Sequence, residues 1–254
     1  PTQVAHVLSG IDLEIRRGQS VGLIGENGAG KSTLLKVITG VYTPTTGTVA
    51  RAGTIAPLLE LGAGFHPEQS GRDNLRTNAL LLGMTPAELA EREAGIIEFA
   101  DIGDYIDEPV KHYSSGMVVR LGFAVIAALK PDLLITDEVL AVGDESFQKK
   151  CVRWMERYLA DGGTLVLVSH SMYHVQKLCQ HAIWLEHGRI RKQGDVFEVT
   201  QDYLAWHERK SADAGLDTRL TANGEYAVVR FALNGDGGTL PIELPQGEDL
   251  VVDV

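Results

Sequence analysis

The segment GENGAGKSTLLKVITG, residues 25–40, decides the fold. Residues 25–32 match the pattern G-x-x-x-x-G-K-[ST], and the apolar run Ser20–Ile24 lies directly before them. A strand, a glycine-rich loop and a helix in this order predict an α/β domain, in which Gly40 ends the helix. The backbone N–H groups of residues 28–33, together with the positive end of the helix, would then surround a phosphate group.

This loop predicts a nucleotide site with Mg²⁺. Lys31 would reach the β- and γ-phosphates, and Ser32 would hold the metal ion. The alternative is a chance match to a short pattern, and the strand and helix on either side argue against it. The predicted nucleotide contacts are Asn27, Gly28, Ala29, Gly30, Lys31, Ser32 and Thr33.

Two further apolar runs, residues 132–138 and 163–170, predict strands buried on both faces of a parallel sheet. Parallel order would bring their polar ends to one edge of the sheet. There Asp137 would bind Mg²⁺ through water, and Glu138 would orient or deprotonate the attacking water. His170 is placed for a γ-phosphate contact. The alternative for these three residues is a purely structural role at the strand ends.

The rest of the chain falls into recognisable segments. Residues 71–129 have a helical pattern, with a capping box at Thr85–Glu88. A hairpin is predicted around His187–Gly188, followed by a helix over residues 196–206. We therefore predict an α/β domain over residues 1–207, with a helical subdomain at about 71–130, a linker at 208–224, and the start of a β-sandwich at 225–254.

Composition limits the partners. The net charge is −11, from 23 basic and 34 acidic residues, which argues against free nucleic acid as the main partner. Cys151 and Cys179 form no disulfide or zinc pattern, so a reduced, cytoplasmic setting is expected. No apolar run reaches the length of a membrane span and no signal-peptide pattern opens the chain, so any membrane role would come through a partner. The chain starts at Pro1 and stops within an apolar alternation, and we expect it to be a piece of a longer protein.

A second short stretch, YSSGMVVRLGFAVIAAL at residues 113–129, places two serines and a glycine before an apolar helix, with Ser114 as a possible N-cap. The phosphate loop, this turn, the acidic pair, residues 141–144 and Ser169–His170 follow one another in the order and rough spacing of the nucleotide-binding domain of ABC transporters. The chain closely resembles that family over about residues 4–206.

The resemblance implies a phosphate-loop NTPase fold with a mainly parallel sheet core, an antiparallel β subdomain and a helical subdomain. It also implies that ATP binds with Mg²⁺ between two copies of the chain arranged head to tail. Contacts to the γ-phosphate held by the other copy's Lys31 would come from Ser114, Ser115 and Gly116, and Asp144 would lie along the dimer interface. Either Glu60 or Leu61 aligns with the family's glutamine before the helical subdomain, and Glu60 would be its metal-contacting substitute. No aromatic residue for adenine stacking precedes the loop, where only His6 is near.

The segments at residues 58–75, 113–117 and 136–144 are similar to those of the ATPases of polysaccharide exporters. That group implies a peripheral ATP-hydrolysing subunit on the cytoplasmic face of a bacterial inner membrane, moving lipid-linked O-antigen or teichoic acid chains. A polytopic permease would dock near residues 62–71, and the C-terminal strands would begin a carbohydrate-binding domain. Two alternatives are a soluble ABC-type ATPase that is not coupled to a transporter and a nucleotide-gated module that does not hydrolyse ATP.

Overall fold

A computed structural model of the protein describes residues 7–58, 61–62, 64–137, 144–217, 232–233 and 252–253. The chain divides into two units, Pro1–Tyr203 and Leu204–Val254. Predictions that concern Glu60, Glu138 or residues 141–143 lie outside the described residues.

The strands of the first unit form a six-stranded sheet. They are β1 Ser20–Ile24, β2 Ile55–Leu58, β3 Leu133–Asp137, β4 Thr164–Val168, β5 His181–Glu186 and β6 Arg189–Asp195. Their order is β2-β3-β4-β1-β5-β6, and only β5 and β6 pair antiparallel. This topology confirms the predicted α/β fold with a mainly parallel sheet. The antiparallel strands are β5 and β6, while residues 7–19 and 40–54 contain no strand.

The buried strands are those that the sequence predicted. Every residue of β1 and β4 is buried, as near-continuous apolar runs require. The edge strand β2 was missed, because Pro57 interrupts its apolar run and proline lacks the N–H that a central strand would use. Its position at the sheet edge explains why proline is tolerated there.

Helix α1, Lys31–Thr39, follows the phosphate loop directly and ends at Gly40, as predicted. Its buried side chains Leu34 and Leu35 pack in one core cluster with Ile135, Val166 and other sheet residues. The loop between β1 and α1 is thereby anchored at both ends in the same hydrophobic core.

The helical segment has a hydrophobic core of its own. It contains α2 Gly71–Leu81, α3 Pro86–Ala100 and α4 Ser115–Leu129, with short 3₁₀ helices at Gly103–Asp107 and Val110–His112. Thr85 and Glu88 form the predicted capping box. Core side chains from these elements are Leu75, Ala79, Met84, Leu89, Ile96, Ala100, Ile102, Ile106, Leu121, Ala124 and Val125.

The remaining helices that the structure describes are α5 Glu145–Ala160, α6 Met172–Leu178 and α7 Val196–Asp217. The prediction ended α7 at residue 206 and assigned the following polar residues to a linker. The helix instead continues to Asp217. Residues 207–217 include two alanines, a glutamate, an arginine and a lysine, which all favour helix. Their polarity alone therefore did not indicate a linker. No helix within the described ranges is long and apolar enough to cross a membrane.

Of the C-terminal residues, the structure describes two short strands, β7 Ala232–Leu233 and β8 Val252–Asp253. They pair antiparallel, with Ala232 opposite Asp253. The assignment of residues 225–254 to the start of a β-sandwich stays a prediction.

The capping box gives a test of the helical segment. Thr85→Ala should lower the free energy of unfolding by about 1 kcal/mol, because the N–H of Glu88 loses its acceptor. Urea denaturation followed by circular dichroism measures this change. Thr85→Ser keeps the acceptor and should remain close to the parent protein, so equal losses in the two variants would contradict the capping role.

Candidate functional site

The phosphate loop folds around its own lysine. Lys31 is 9% exposed, and its Nζ donates hydrogen bonds to the carbonyl oxygens of Gly25 at 2.7 Å and Glu26 at 2.9 Å. Gly30, the residue before α1, has φ +103°, a left-handed conformation that favours glycine. These features hold the loop in a tight curve at the N-terminus of α1, where the helix dipole favours an anion.

A cavity of about 480 Å³ opens beside this loop. Its volume lies within the range that is typical of small-molecule sites. Ala29, also predicted as a contact, is buried and is not among the residues that line the cavity. The cavity is lined by Val7, Asn27, Gly28, Gly30, Lys31, Ser32 and Thr33, of which all but Val7 were predicted nucleotide contacts.

The sheet order brings the strand of Asp137 and the strand before His170 to the same edge. Strand β4 lies between β3 and β1, and Val168 is in register with both Asp137 and Leu23. The strand carrying Asp137 and the segment leading to His170 therefore end at the edge where the phosphate loop begins. The hydroxyl of Ser32 and the carboxylate of Asp137 are hard oxygen ligands, which Mg²⁺ prefers.

Mg²⁺ suits this donor set better than a transition metal. The described residues hold no cluster of three or more His, Cys, Asp or Glu that could ligate a metal. Mg²⁺ needs no such cluster, since it commonly keeps several waters and binds through one or two carboxylates and substrate phosphates. Cys151 and Cys179 are buried, and burial raises the pKa of both thiols to about 12, so neither is a ready metal ligand.

The Ser-Ser-Gly turn begins helix α4 as expected. Ser114 is the N-cap, and its hydroxyl oxygen accepts a hydrogen bond from the N–H of Met117 at 3.2 Å. Ser115 and Gly116 are the first residues of the helix. The part of the cavity wall that the structure describes contains none of these three residues. If these residues contact the nucleotide in such a cavity, they must therefore come from a second copy of the chain.

Asp144 has a structural role that the sequence reading did not include. It is the N-cap of α5, where its carboxylate accepts hydrogen bonds from the Ser146 hydroxyl and the Phe147 N–H. Arg120 of α4 forms an ion pair with the same carboxylate. The Ser146 hydroxyl, the Phe147 N–H and Arg120 hold the pKa of Asp144 well below its usual value, so it is ionised at neutral pH.

Two residues of this region were missed. Val7 lines the cavity although it is far from the phosphate loop in sequence, and no local signal marks it. Arg120 did carry a signal, since it is the one charged residue in the apolar run from Met117 to Leu129. Its guanidinium forms an ion pair with Asp144 and donates a hydrogen bond to the Asp101 carbonyl oxygen. These two contacts join α4 to the N-terminus of α5 and to the end of α3.

The family follows from a comparison of the whole sequence. Residues 8–141 match the model of the ABC transporter family. The protein belongs to this family. The match covers the phosphate loop, the helical segment, the Ser-Ser-Gly turn and the acidic strand.

Relatives refine this assignment. The chain is 52% identical over 237 residues to the O-antigen export system ATP-binding protein RfbB of Myxococcus xanthus, covering 92% of this chain and 51% of that protein. It is 42% identical over 209 residues to the teichoic acids export ATP-binding protein TagH of Listeria innocua, covering 81% of this chain and 62% of that protein. The chain thus spans about half of the first relative and under two thirds of the second.

A solved structure supports the fold. The ATP-binding subunit of an ABC transporter superimposes with a TM-score of 0.70 at 25% sequence identity, over 78% of this chain and 87% of that one.

Lys31 provides the test of the site. Lys31→Ala should weaken ATP binding by roughly 10- to 100-fold, because a charge-assisted hydrogen bond contributes about 1.5–3 kcal/mol. Isothermal titration calorimetry measures the affinity. Lys36→Ala, on the same helix but outside the cavity lining, is the matched control and should bind ATP like the parent chain. Equal affinities for Lys31→Ala and the control would remove Lys31 from the site.

Proposed function

We propose that the protein is the ATP-hydrolysing subunit of an ABC exporter that moves lipid-linked polysaccharide, of the O-antigen or teichoic acid type, across the cytoplasmic membrane. The observation that carries this proposal is the cavity formed by the phosphate loop at the carboxyl edge of the sheet. The export function of RfbB and TagH supports the choice of cargo.

The proposed chemistry uses residues that end or follow four strands, β1 to β4. Lys31 stabilises the charge on the β- and γ-phosphates, while Ser32 and Asp137 hold Mg²⁺, with Glu60 as a further ligand. Mg²⁺ would neutralise charge that develops on the phosphates during hydrolysis. Glu138 orients or deprotonates the attacking water, and His170 contacts the γ-phosphate.

The Ser-Ser-Gly turn serves a second copy of the chain. In the proposed head-to-tail dimer, the Ser114 hydroxyl and the Gly116 N–H of one copy contact the γ-phosphate bound by the other copy, with Ser115 between them and Asp144 beside the interface. Moving a dimer equilibrium from 1:99 to 99:1 needs about 5.5 kcal/mol of differential binding. Two charge-assisted hydrogen bonds at each of two sites, at about 1.5–3 kcal/mol each, are sufficient before losses.

The membrane partner is a polytopic permease, which we place at the loop of residues 62–71, on the cytoplasmic face of the inner membrane. The described part of this loop is firmly held. Asn74 is 1% exposed, accepts a hydrogen bond from the His66 N–H, and donates to the carbonyl oxygens of His66, Gln69 and Ser70. A preorganised surface loses little entropy when a partner docks, which supports the assignment.

The C-terminal residues after about 225 are proposed as the start of a domain that binds the exported polysaccharide. Their alternating apolar and polar pattern supports a β-sandwich, and β7 and β8 pair antiparallel as such a fold would require.

Complementation between inactive variants tests the dimer. Lys31→Ala and Ser114→Arg should each abolish ATP hydrolysis, and Ser114→Arg should still bind ATP, since its own cavity is intact. In an equimolar mixture, half of the dimers would contain one copy of each variant. Each such dimer holds one intact site, formed by Lys31 of the Ser114→Arg copy and Ser114 of the Lys31→Ala copy. Up to about a quarter of the parent turnover should therefore return. Phosphate release measures turnover. A mixture as inactive as its components would contradict a site shared between copies.

Co-purification tests the export function against a soluble ABC-type ATPase. Affinity purification of the tagged chain from detergent-solubilised membranes of its source bacterium should recover a polytopic membrane protein in stoichiometric amounts, identified by mass spectrometry. Lys111→Glu together with Glu68→Lys reverses an exposed ion pair at the proposed docking loop and should reduce this recovery while ATP binding is unchanged. Recovery of the chain only as a free species would favour the soluble alternative.

A further inference from the structure

The turn between β5 and β6 lies against the back of the phosphate loop. His187 and Gly188 have φ values of +47° and +73°, the sign pattern of a type I′ turn in a tight hairpin. The N–H of Gly188 donates a hydrogen bond to the carbonyl oxygen of Ala29 at 3.0 Å. A turn that is distant in sequence thus binds the loop through its backbone, and Ala29 is buried at that contact.

The same glycine also binds the segment that contains the cavity-lining residue Val7. Its carbonyl oxygen accepts a hydrogen bond from the N–H of Ser9 at 2.9 Å. Ser9 lies two residues after Val7, which lines the cavity. Gly188 therefore connects the segment of residues 7–9 to the phosphate loop, and it uses both of its backbone polar groups to do so.

Only glycine fits at this position. A Cβ at residue 188 would overlap the carbonyl oxygen of Val7, and the positive φ is unfavourable for other residues. The hairpin makes a second close approach through Leu185, because a Cβ at Gly25 would overlap the Leu185 carbonyl oxygen. Leu185 is fully buried, so this part of the hairpin has little room to move away.

We infer that Gly188 is a positioning residue for the nucleotide. It sets the distance between the wall at residues 7–9 and the phosphate loop, and it keeps Ala29 in the position that presents residues 27–33 to the phosphates. This role rests on the proposed binding of ATP, and it acts through Ala29 and Val7 rather than through contact with the ligand. It predicts an effect mainly on nucleotide affinity, because Glu138 and His170, which we propose to act on the attacking water and the γ-phosphate, follow β3 and β4 rather than the phosphate loop.

A matched pair of glycine substitutions tests the inference. Gly162, in the turn before β4, has φ +87° and free space where a Cβ would be placed, and it lies outside the cavity lining. Gly188→Ala and Gly162→Ala therefore share the backbone strain, but only the first disturbs the contacts with Val7 and Ala29. Gly188→Ala should raise the KM for ATP about tenfold with kcat within about twofold, whereas Gly162→Ala should keep both parameters. Equal KM values in the two variants would overturn the inference.

A second variant removes the hydrogen bond without adding bulk. Replacing residue 188 by glycolic acid, through an amide-to-ester exchange, puts an ester oxygen in place of the N–H that binds Ala29 and adds no side chain. The dissociation constant for ATP, measured by calorimetry on the whole chain, should rise about three- to tenfold, since a buried carbonyl loses its partner. An unchanged dissociation constant would overturn the inference even if Gly188→Ala does not fold. If the parent chain itself binds no ATP, the proposed function fails, and this outcome is distinct from a failure of the positioning role.

Discussion

The buried ammonium group of Lys31 is the constraint on which the site depends. The charge of a lysine residue that is 9% exposed needs polar partners, and the backbone carbonyl groups of Gly25 and Glu26 accept hydrogen bonds from it. The loop must therefore curve around the lysine, and this curve places residues 27–33 along the cavity. Strand β1 precedes the loop in sequence and helix α1 follows it. Together with the β5–β6 turn, which binds Ala29, these elements hold the curve in place.

The sheet places the residues that we propose for a triphosphate and a metal ion at one edge. Neighbouring strands lie about 4.8 Å apart, so the carboxyl end of β3 is about 10 Å from that of β1, with β4 between them. Because all three strands are parallel and Val168 is in register with Leu23 and Asp137, their polar ends meet at one edge. An antiparallel arrangement would have sent one of them to the opposite edge.

The helical segment is packed as a separate core but is tied to the rest of the first unit through α5. Arg120 bonds Asp144 at the start of α5, and Lys150 donates to the Phe99 carbonyl oxygen at the end of α3. Stacked and edge-to-face contacts among aromatic side chains fill the space between these helices. The helix that begins at Ser114 is thus linked to the N-terminus of α5, close in sequence to the acidic strand. The aromatic side chains that pack between these helices are Phe99, Phe123, Phe147, Trp154 and Tyr158.

The sequence by itself determined the elements whose signals are local. The phosphate loop, the capping box at Thr85, the Ser114 cap and the turn at His187–Gly188 each depend on a few adjacent residues, and each was predicted at its observed place. Local composition misled at two points, the edge strand with Pro57 and the polar end of α7.

Only the tertiary structure decided the order of the strands, the pairing of Arg120 with Asp144, and the connection that Gly188 makes between Ala29 and Ser9. These contacts join residues that are distant in sequence, and no spacing pattern records them. A glycine in a hairpin turn looks the same in sequence whether its N–H faces solvent or the phosphate loop. Its partner is fixed by the packing of whole elements, because the buried sheet brings the end of β5 to the loop that follows β1.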